Sequence, residues 1–543
     1  MNKEHTAFAF VFDINNCDRY VTTFKLLNKQ LNPLLNRIDH CSGVEFFNED
    51  GSTVIILIND EKNRPYKIQY YMLGTDGSKA RTIWTETDSK YCVNIHTTKD
   101  RKYIIVTSEA LTNSAIYAIN KSKLVCLTPI IPKTFHKHAF IDHIRDYFVI
   151  IAKDKGNYKL YLAADESISK WEKVYELKEN TVLEHYDVFR DYIVLYVTEQ
   201  GVPSILVYDV NNKSIYEVKF CKDIGEVYPA TNDIYEANTI KFKVSSPFVY
   251  KRQYKLNLST KHWEVIDEVK LSNDIQREDF TWEHLYPQSE DGVQIPLTLI
   301  RKSNLDLSHP HKLLIYTYGA YGLHTPLSYN PTNLAALEQD WVIAFSHIRG
   351  SNFNGPHWHL AGCYPHKPKS IQDFMCSLKY LYGKGWASKE LTAAYGSSAG
   401  ATIVGAAMNK EPNLFKAAVL QNPFLDVVGT LTNKEQALNE ANYEEWGNPI
   451  SSPEALKQIK QYCPLENIKE QKYPAILINY SITDQRIPYW GVMKYLWKMR
   501  MSSPEIQLVS ITKDGGHFGS TNEEDNLTKT IWELAWLDYI FSN

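Results

Sequence analysis

The sequence predicts two domains: an N-terminal β-propeller over residues 1–280 and a C-terminal α/β domain over residues 281–543. Short strand-like runs recur around polar turns in the first half, with a period of about 45–50 residues, as propeller blades of four strands would. In the second half apolar runs alternate with helical stretches, the pattern of a largely parallel sheet covered by helices. One G-x-S-x-G pentapeptide stands at a strand-to-helix junction. A chain of 543 residues is also too long for one hydrophobic core.

The repeats run in order through residues 44–58 around Asp50-Gly51, 92–106 around Lys99-Asp100, 140–151 around Arg145-Asp146 and 186–197 around Arg190-Asp191. A weaker copy ends in Ile240, Phe242 and Val244, so five repeats are clear and a sixth is conceivable. Independent hairpins on a sandwich are the alternative. Met1 to Asp13 already has blade character. The character changes near residues 270–290, where Asp291-Gly292-Val293-Gln294-Ile295-Pro296-Leu297 opens the second half. Strand-like runs follow at residues 313–316, 342–345, 391–395, 417–420, 475–480 and 507–511, with a helical stretch at 371–381.

Composition excludes several classes. With 22% charged and 44% hydrophobic residues the chain is globular rather than disordered. A net charge of −4 without a sustained basic block argues against nucleic acid or anionic membrane as partners. No run approaches membrane-spanning length and no early segment reads as a secretory signal, so a cytosolic location is expected. Cys17, Cys41, Cys92, Cys126, Cys221, Cys363, Cys376 and Cys463 form no C-x-x-C pair and read as reduced, buried thiols.

Gly396-Ser397-Ser398-Ala399-Gly400 follows an apolar run and precedes Ala401-Thr402-Ile403-Val404, the setting of a nucleophile elbow. A serine presented on such a sharp turn needs a strained backbone and neighbours without bulk. Ser398 is the candidate nucleophile. Its partners are expected in the order acid, then histidine. Beyond His366 the chain has one histidine, His517, in the glycine-flanked loop Asp514-Gly515-Gly516-His517-Phe518-Gly519. Asp426, Asp484 and Asp514 lie between. Asp426 is read as closing the strand after the nucleophile, and Asp514 is too near His517. Asp484 follows an apolar strand, at the end where open α/β sheets place active groups, and is the candidate acid.

Tyr318-Gly319-Ala320-Tyr321-Gly322, His347-Ile348-Arg349-Gly350, the elbow, Glu444-Glu445-Trp446-Gly447-Asn448-Pro449, Asp484-Gln485-Arg486 and Gly516-His517 occur in one order. In this the chain resembles the prolyl oligopeptidase family of serine peptidases, and within it the oligopeptidase B and prolyl endopeptidase-like branch. The resemblance implies an α/β-hydrolase domain capped by a seven-bladed propeller that admits only short peptides. It also implies that Tyr318 and the N–H of Ala399 form the oxyanion hole, that Arg486 holds a substrate carbonyl, that Tyr321 contacts substrate and that Glu444 meets a basic side chain.

The chain departs from the family pattern at four places. Ser397 and Ala401 stand where glycines are usual, and Arg349-Gly350-Ser351-Asn352-Phe353 replaces a glycine run followed by glutamate, a changed substrate-facing loop. Asn442-Tyr443-Glu444-Glu445 offers no tryptophan to stack on proline, and Asn442 replaces a common acid. Strict prolyl specificity is therefore not expected, and a preference for Arg or Lys is weakened. Family members usually carry a further N-terminal segment and first blade, so an incomplete propeller is expected here. The reading is a serine hydrolase of short peptides that uses neither metal nor organic cofactor. An esterase or thioesterase on small acyl groups is the second reading, and a propeller interaction protein with weak hydrolase activity the third. Oligomeric state is not legible.

Overall fold

The computed structural model describes residues 1–543 except 14–17, 28–36, 76–79, 124, 134–137, 154–155, 270–274, 437–438, 504–506, 514 and 521. The first half folds into antiparallel meanders. Four-stranded sheets begin at Cys41–Phe46, Cys92–Thr97, Ala139–Ile144, Thr181–Val188 and Glu226–Pro229, each strand pairing with the next in sequence. A three-stranded sheet of Ala7–Asp13, Tyr20–Leu26 and Arg37–Asp39 precedes them. The described residues thus hold five four-stranded sheets and one three-stranded sheet, against the seven blades the resemblance implied.

Alternation along each strand explains how the sheets stack. Phe47, Ile55, Leu57 and Ile68 of one sheet close against Val93, Ile95, Ile104 and Val106 of the next. The far face of that second sheet, with Ile105, Ile116 and Ala118, closes against Ile141, Phe148 and Ile150 of the third. Central strands are covered on both faces and read as continuous apolar runs, such as Thr53–Asn59, TVIILIN. That is why the first two strands of each sheet are legible in the sequence. Fourth strands are not, because the outermost are solvated: Trp263–Val269, WEVIDEV, is exposed throughout.

The next strand, Phe280–Leu285, opens an eight-stranded sheet. Its spatial order is Phe280–Leu285, Leu297–Lys302, Val342–Ser346, His311–Thr317, Ala387–Ser397, Ala417–Gln421, Ala475–Ser481, Gln507–Thr512. The first two are antiparallel additions, which the sequence reading missed, and the rest run parallel. The order reverses once, where Val342–Ser346 lies outside His311–Thr317. Helices Lys367–Gly383, Ala399–Lys410, Pro453–Tyr462 and Tyr489–Ser502 bury Ile371, Phe374, Ile403, Val404, Ile459 and Met499 on one face. Pro331–Glu338 and Glu523–Ser542 cover the other with Leu334, Leu337, Trp536 and Leu537. No helix among the described residues is long and apolar enough to cross a membrane. The described cysteines are all free thiols, but only Cys41, Cys363 and Cys463 among them are buried; Cys92, Cys221 and Cys376 are half-buried, Cys126 is exposed, and Cys17 lies outside the described residues.

Candidate active site

The parallel strands deliver the predicted side chains to one end of the sheet. Ala387–Ser397 runs directly into helix Ala399–Lys410, and Ser398 between them has φ 50° and ψ −120°. This conformation is costly for a residue with a side chain and marks an elbow under strain. The glycines around it are explained by space. A Cβ on Gly400 would lie 2.5 Å from the Thr317 carbonyl oxygen, and one on Gly396 would lie 2.8 Å from the Gly400 carbonyl oxygen. Gln421 accepts a hydrogen bond from Ser398 N at 2.8 Å, and Phe424 N donates to the Ser398 carbonyl at 3.0 Å, so the next strand fixes the turn.

Ser398 Oγ is 3.1 Å from His517 Nε2, and His517 Nδ1 is 2.7 Å from Asp484 Oδ2. The other carboxylate oxygen of Asp484 accepts the N–H groups of Arg486 and Ile487, both at 2.9 Å. With its side chain fully buried, Asp484 is thereby held in one orientation. Asp426 is elsewhere. Its strand ends at Gln421, and Asp426 caps helix Val427–Thr432 by accepting from Gly429 N at 2.8 Å. The sequence reading that placed it at a strand end is corrected, because an aspartate at the start of a helix is stabilised by the first-turn N–H groups. Asp514 lies outside the described residues.

Two residues without a sequence signal position the histidine loop. Asn422 donates to the His517 carbonyl at 2.6 Å and accepts from Ser481 N at 3.0 Å, and Thr483 Oγ1 accepts from Gly516 N at 3.1 Å. Both tie residues far apart in the chain, which spacing alone cannot reveal.

Tyr318 has the Ser398 hydroxyl among its polar neighbours, and burial pushes its phenol up to about 12. Ala399 is the first residue of its helix, where N–H groups have no intrahelical acceptor. The run from Tyr318 to Gly322 rests on a buried charge cluster that the sequence reading missed. Glu445 forms an ion pair with Lys367, lies 2.8 Å from His359 Nε2 and accepts Tyr321 N at 2.9 Å. Lys367 also donates to the Gly319 carbonyl at 3.1 Å. Burial alone would raise the Glu445 carboxyl, but Lys367 and His359 outweigh it and hold it below its ordinary value. The Tyr321 hydroxyl accepts from Trp446 Nε1 at 2.8 Å and donates to Asn442 at 3.1 Å, so it braces the run.

The structure gives three substrate-side candidates neighbours of their own. Glu444 is engaged by the propeller: it pairs with Lys90 and accepts both the N–H and the hydroxyl of Thr112 at 2.9 Å. Arg349 of the altered loop is turned inward: it is 2% exposed and bonded to Asp373 and Asp291. A guanidinium fork between two carboxylates satisfies its buried donors, and so it stays inside. Phe353 of the same loop is buried and stacks on His347 at 3.6 Å. Arg486 is half-exposed, 3.5 Å from Asp18 and 4.7 Å from the Phe518 ring.

Comparison with known proteins agrees with this architecture. The N-terminal β-propeller profile of the prolyl oligopeptidases matches residues 1–269, and the Prolyl oligopeptidase family profile matches residues 327–543. A prolyl endopeptidase-like protein of Gallus gallus is 28% identical over 508 residues, 89% of this chain and 68% of its own length. Protease 2 of Moraxella lacunata is 26% identical over 543 residues, 99% of this chain and 78% of its own. The solved structure of oligopeptidase B from Leishmania major superposes with a TM-score of 0.93 at 22% identity, covering 99% of this chain and 77% of that one. With a propeller followed by an α/β-hydrolase domain and both profiles matched in sequence, this chain belongs to the prolyl oligopeptidase family of serine peptidases.

Proposed function

We propose that the protein hydrolyses short peptides by acyl transfer through Ser398, His517 and Asp484. The observation that carries this is the unbroken line of hydrogen bonds from Asp484 Oδ2 through both ring nitrogens of His517 to Ser398 Oγ, on a strained elbow. His517 Nε2 takes the Ser398 proton as Oγ attacks the peptide carbonyl. Asp484 keeps the proton on Nδ1 and stabilises the imidazolium that forms. The Tyr318 hydroxyl and the Ala399 N–H donate to the oxyanion, and a phenol pushed up to about 12 remains a donor throughout the neutral range. The tetrahedral intermediate collapses as His517 passes its proton to the leaving amine. Water, deprotonated by the same imidazole, then releases the acyl group and restores Ser398.

Access is limited by the propeller. Segments that follow the strand ends carrying the triad meet it directly: Glu440 bonds Ser89, Glu444 bonds Lys90 and Thr112, and Arg486 pairs with Asp18. This favours substrates of a few residues over folded proteins. Because Glu444 is committed to the propeller, it does not supply a preference for Arg or Lys. Fluorogenic peptides of graded length test the reading: cleavage of the short ones, with folded and long denatured proteins spared, is the expected result. Robust hydrolysis of short-chain esters or thioesters without cleavage of any short peptide overturns it.

A further inference from the structure

Two carboxylates and an imidazole converge where the propeller meets the hydrolase domain. Glu184 comes from strand Thr181–Val188, Glu226 from Glu226–Pro229, and His324 from the loop after His311–Thr317. One donor atom of each lies within 4.8 Å of the other two. His324 and Glu226 are nearly sealed, with side-chain exposures of 10% and 8%, and Glu184 is half-buried.

The surrounding hydrogen bonds fix the orientation of these groups. Strand pairing steps from Leu183 to His185, which leaves Glu184 as the extra residue of a β-bulge, a device that redirects a side chain. Thr198 donates to Glu184 at 2.7 Å, and Leu327 N donates to Glu226 at 2.9 Å. His324 Nδ1 lies 2.8 Å from the amide oxygen of Asn352, an acceptor, so the Nδ1 proton is spoken for and Nε2 is turned to the carboxylates. Metal-binding histidines are oriented by a hydrogen bond of this kind on the other ring nitrogen.

Distance and charge point the same way. Nε2 is 3.3 Å from Glu226 Oε1, long beside the about 2.7–2.9 Å of charge-assisted hydrogen bonds. It matches the about 3.3–3.6 Å that separates two ligands sitting about 2.0–2.2 Å from one tetrahedral zinc. Two carboxylates, Glu226 buried and Glu184 half-buried, also outnumber the single imidazole of the cluster, and a divalent cation balances both.

We propose that Glu184, Glu226 and His324 form a structural site for a divalent cation of the zinc class, with water as the fourth ligand. It clamps two propeller sheets to the hydrolase domain and takes no part in the chemistry at Ser398.

The test uses the full chain stripped with a chelator, then given Zn²⁺ or Co²⁺ alone and desalted. Wild type should retain about one metal ion per chain and melt at a higher temperature, as ligand binding to the folded state requires. Its Co²⁺ form should show the intense visible bands of a tetrahedral site. Glu184→Gln, nearly isosteric, should keep its circular dichroism and lose the retained ion, the bands and the thermal shift. No retained metal with only hydrated Co²⁺ in the wild-type spectrum overturns the proposal, and so does equal retention by Glu184→Gln.

Discussion

Glu444 of the hydrolase domain is paired with Lys90 of the propeller, and Thr112 donates twice to the same carboxylate. A residue that resemblance assigns to substrate is thus part of the domain interface. Glu444→Gln and Lys90→Met should each weaken domain closure, with a coupling of about 1 kcal/mol for this partly exposed pair. The ratio of kcat/KM for Arg and Pro before the scissile bond should stay within about twofold. A selective loss of Arg substrates in Glu444→Gln would return Glu444 to the substrate site.

Ser398→Ala should abolish labelling by a fluorophosphonate probe and leave the thermal transition intact, since only Oγ is removed. Ser397→Ala should label almost normally, because only Ser398 has the strained elbow backbone.

Asp484→Asn should lower kcat by about 10⁴, because an amide no longer holds the proton on Nδ1 of His517. Asp426→Asn serves as the control. It keeps a side-chain oxygen to cap the helix, since asparagine caps about as well as aspartate, and should change stability and turnover little. Comparable losses of turnover in both variants would contradict the assignment.

Gly400→Ala should be more damaging to the fold than an ordinary surface change, since its Cβ would press to 2.5 Å from the Thr317 carbonyl oxygen. Chemical denaturation of the two proteins measures this. The elbow should also shift, so the probe should label the folded variant slowly.

Glu533 gives a pH signature in stability. Burial pushes its carboxyl from 4.5 up to about 7, beside Lys529 and Asn479. A raised carboxylate favours the folded state while protonated, so this contribution is full below pH 4.5 and is lost as pH rises from 4.5 to about 7. Glu533→Gln keeps an acceptor for Asn479 and removes the titration. Its stability relative to wild type should climb over that window by on the order of 3 kcal/mol and then level off. A flat difference from pH 4 to 8, about the whole window, would show that Glu533 ionises normally.

The sequence by itself determined the domain order and most inner strands, and it singled out Ser398, Asp484 and His517, which the fold brings within hydrogen-bond reach of one another. Local chemistry was enough for these. Buried strands must be apolar, an elbow must have small neighbours at fixed offsets, and a single histidine after residue 366 leaves no choice of base. Only the tertiary structure decided what those residues touch. It put Glu444 on Lys90 and Arg349 inside between Asp373 and Asp291, and it built the Glu445, Lys367 and His359 cluster beneath the Tyr318 run. A charged side chain reads the same in sequence whether it faces substrate, solvent or a buried partner. The difference lies in which distant segment supplies the compensating charge, and that is fixed only when the chain has folded.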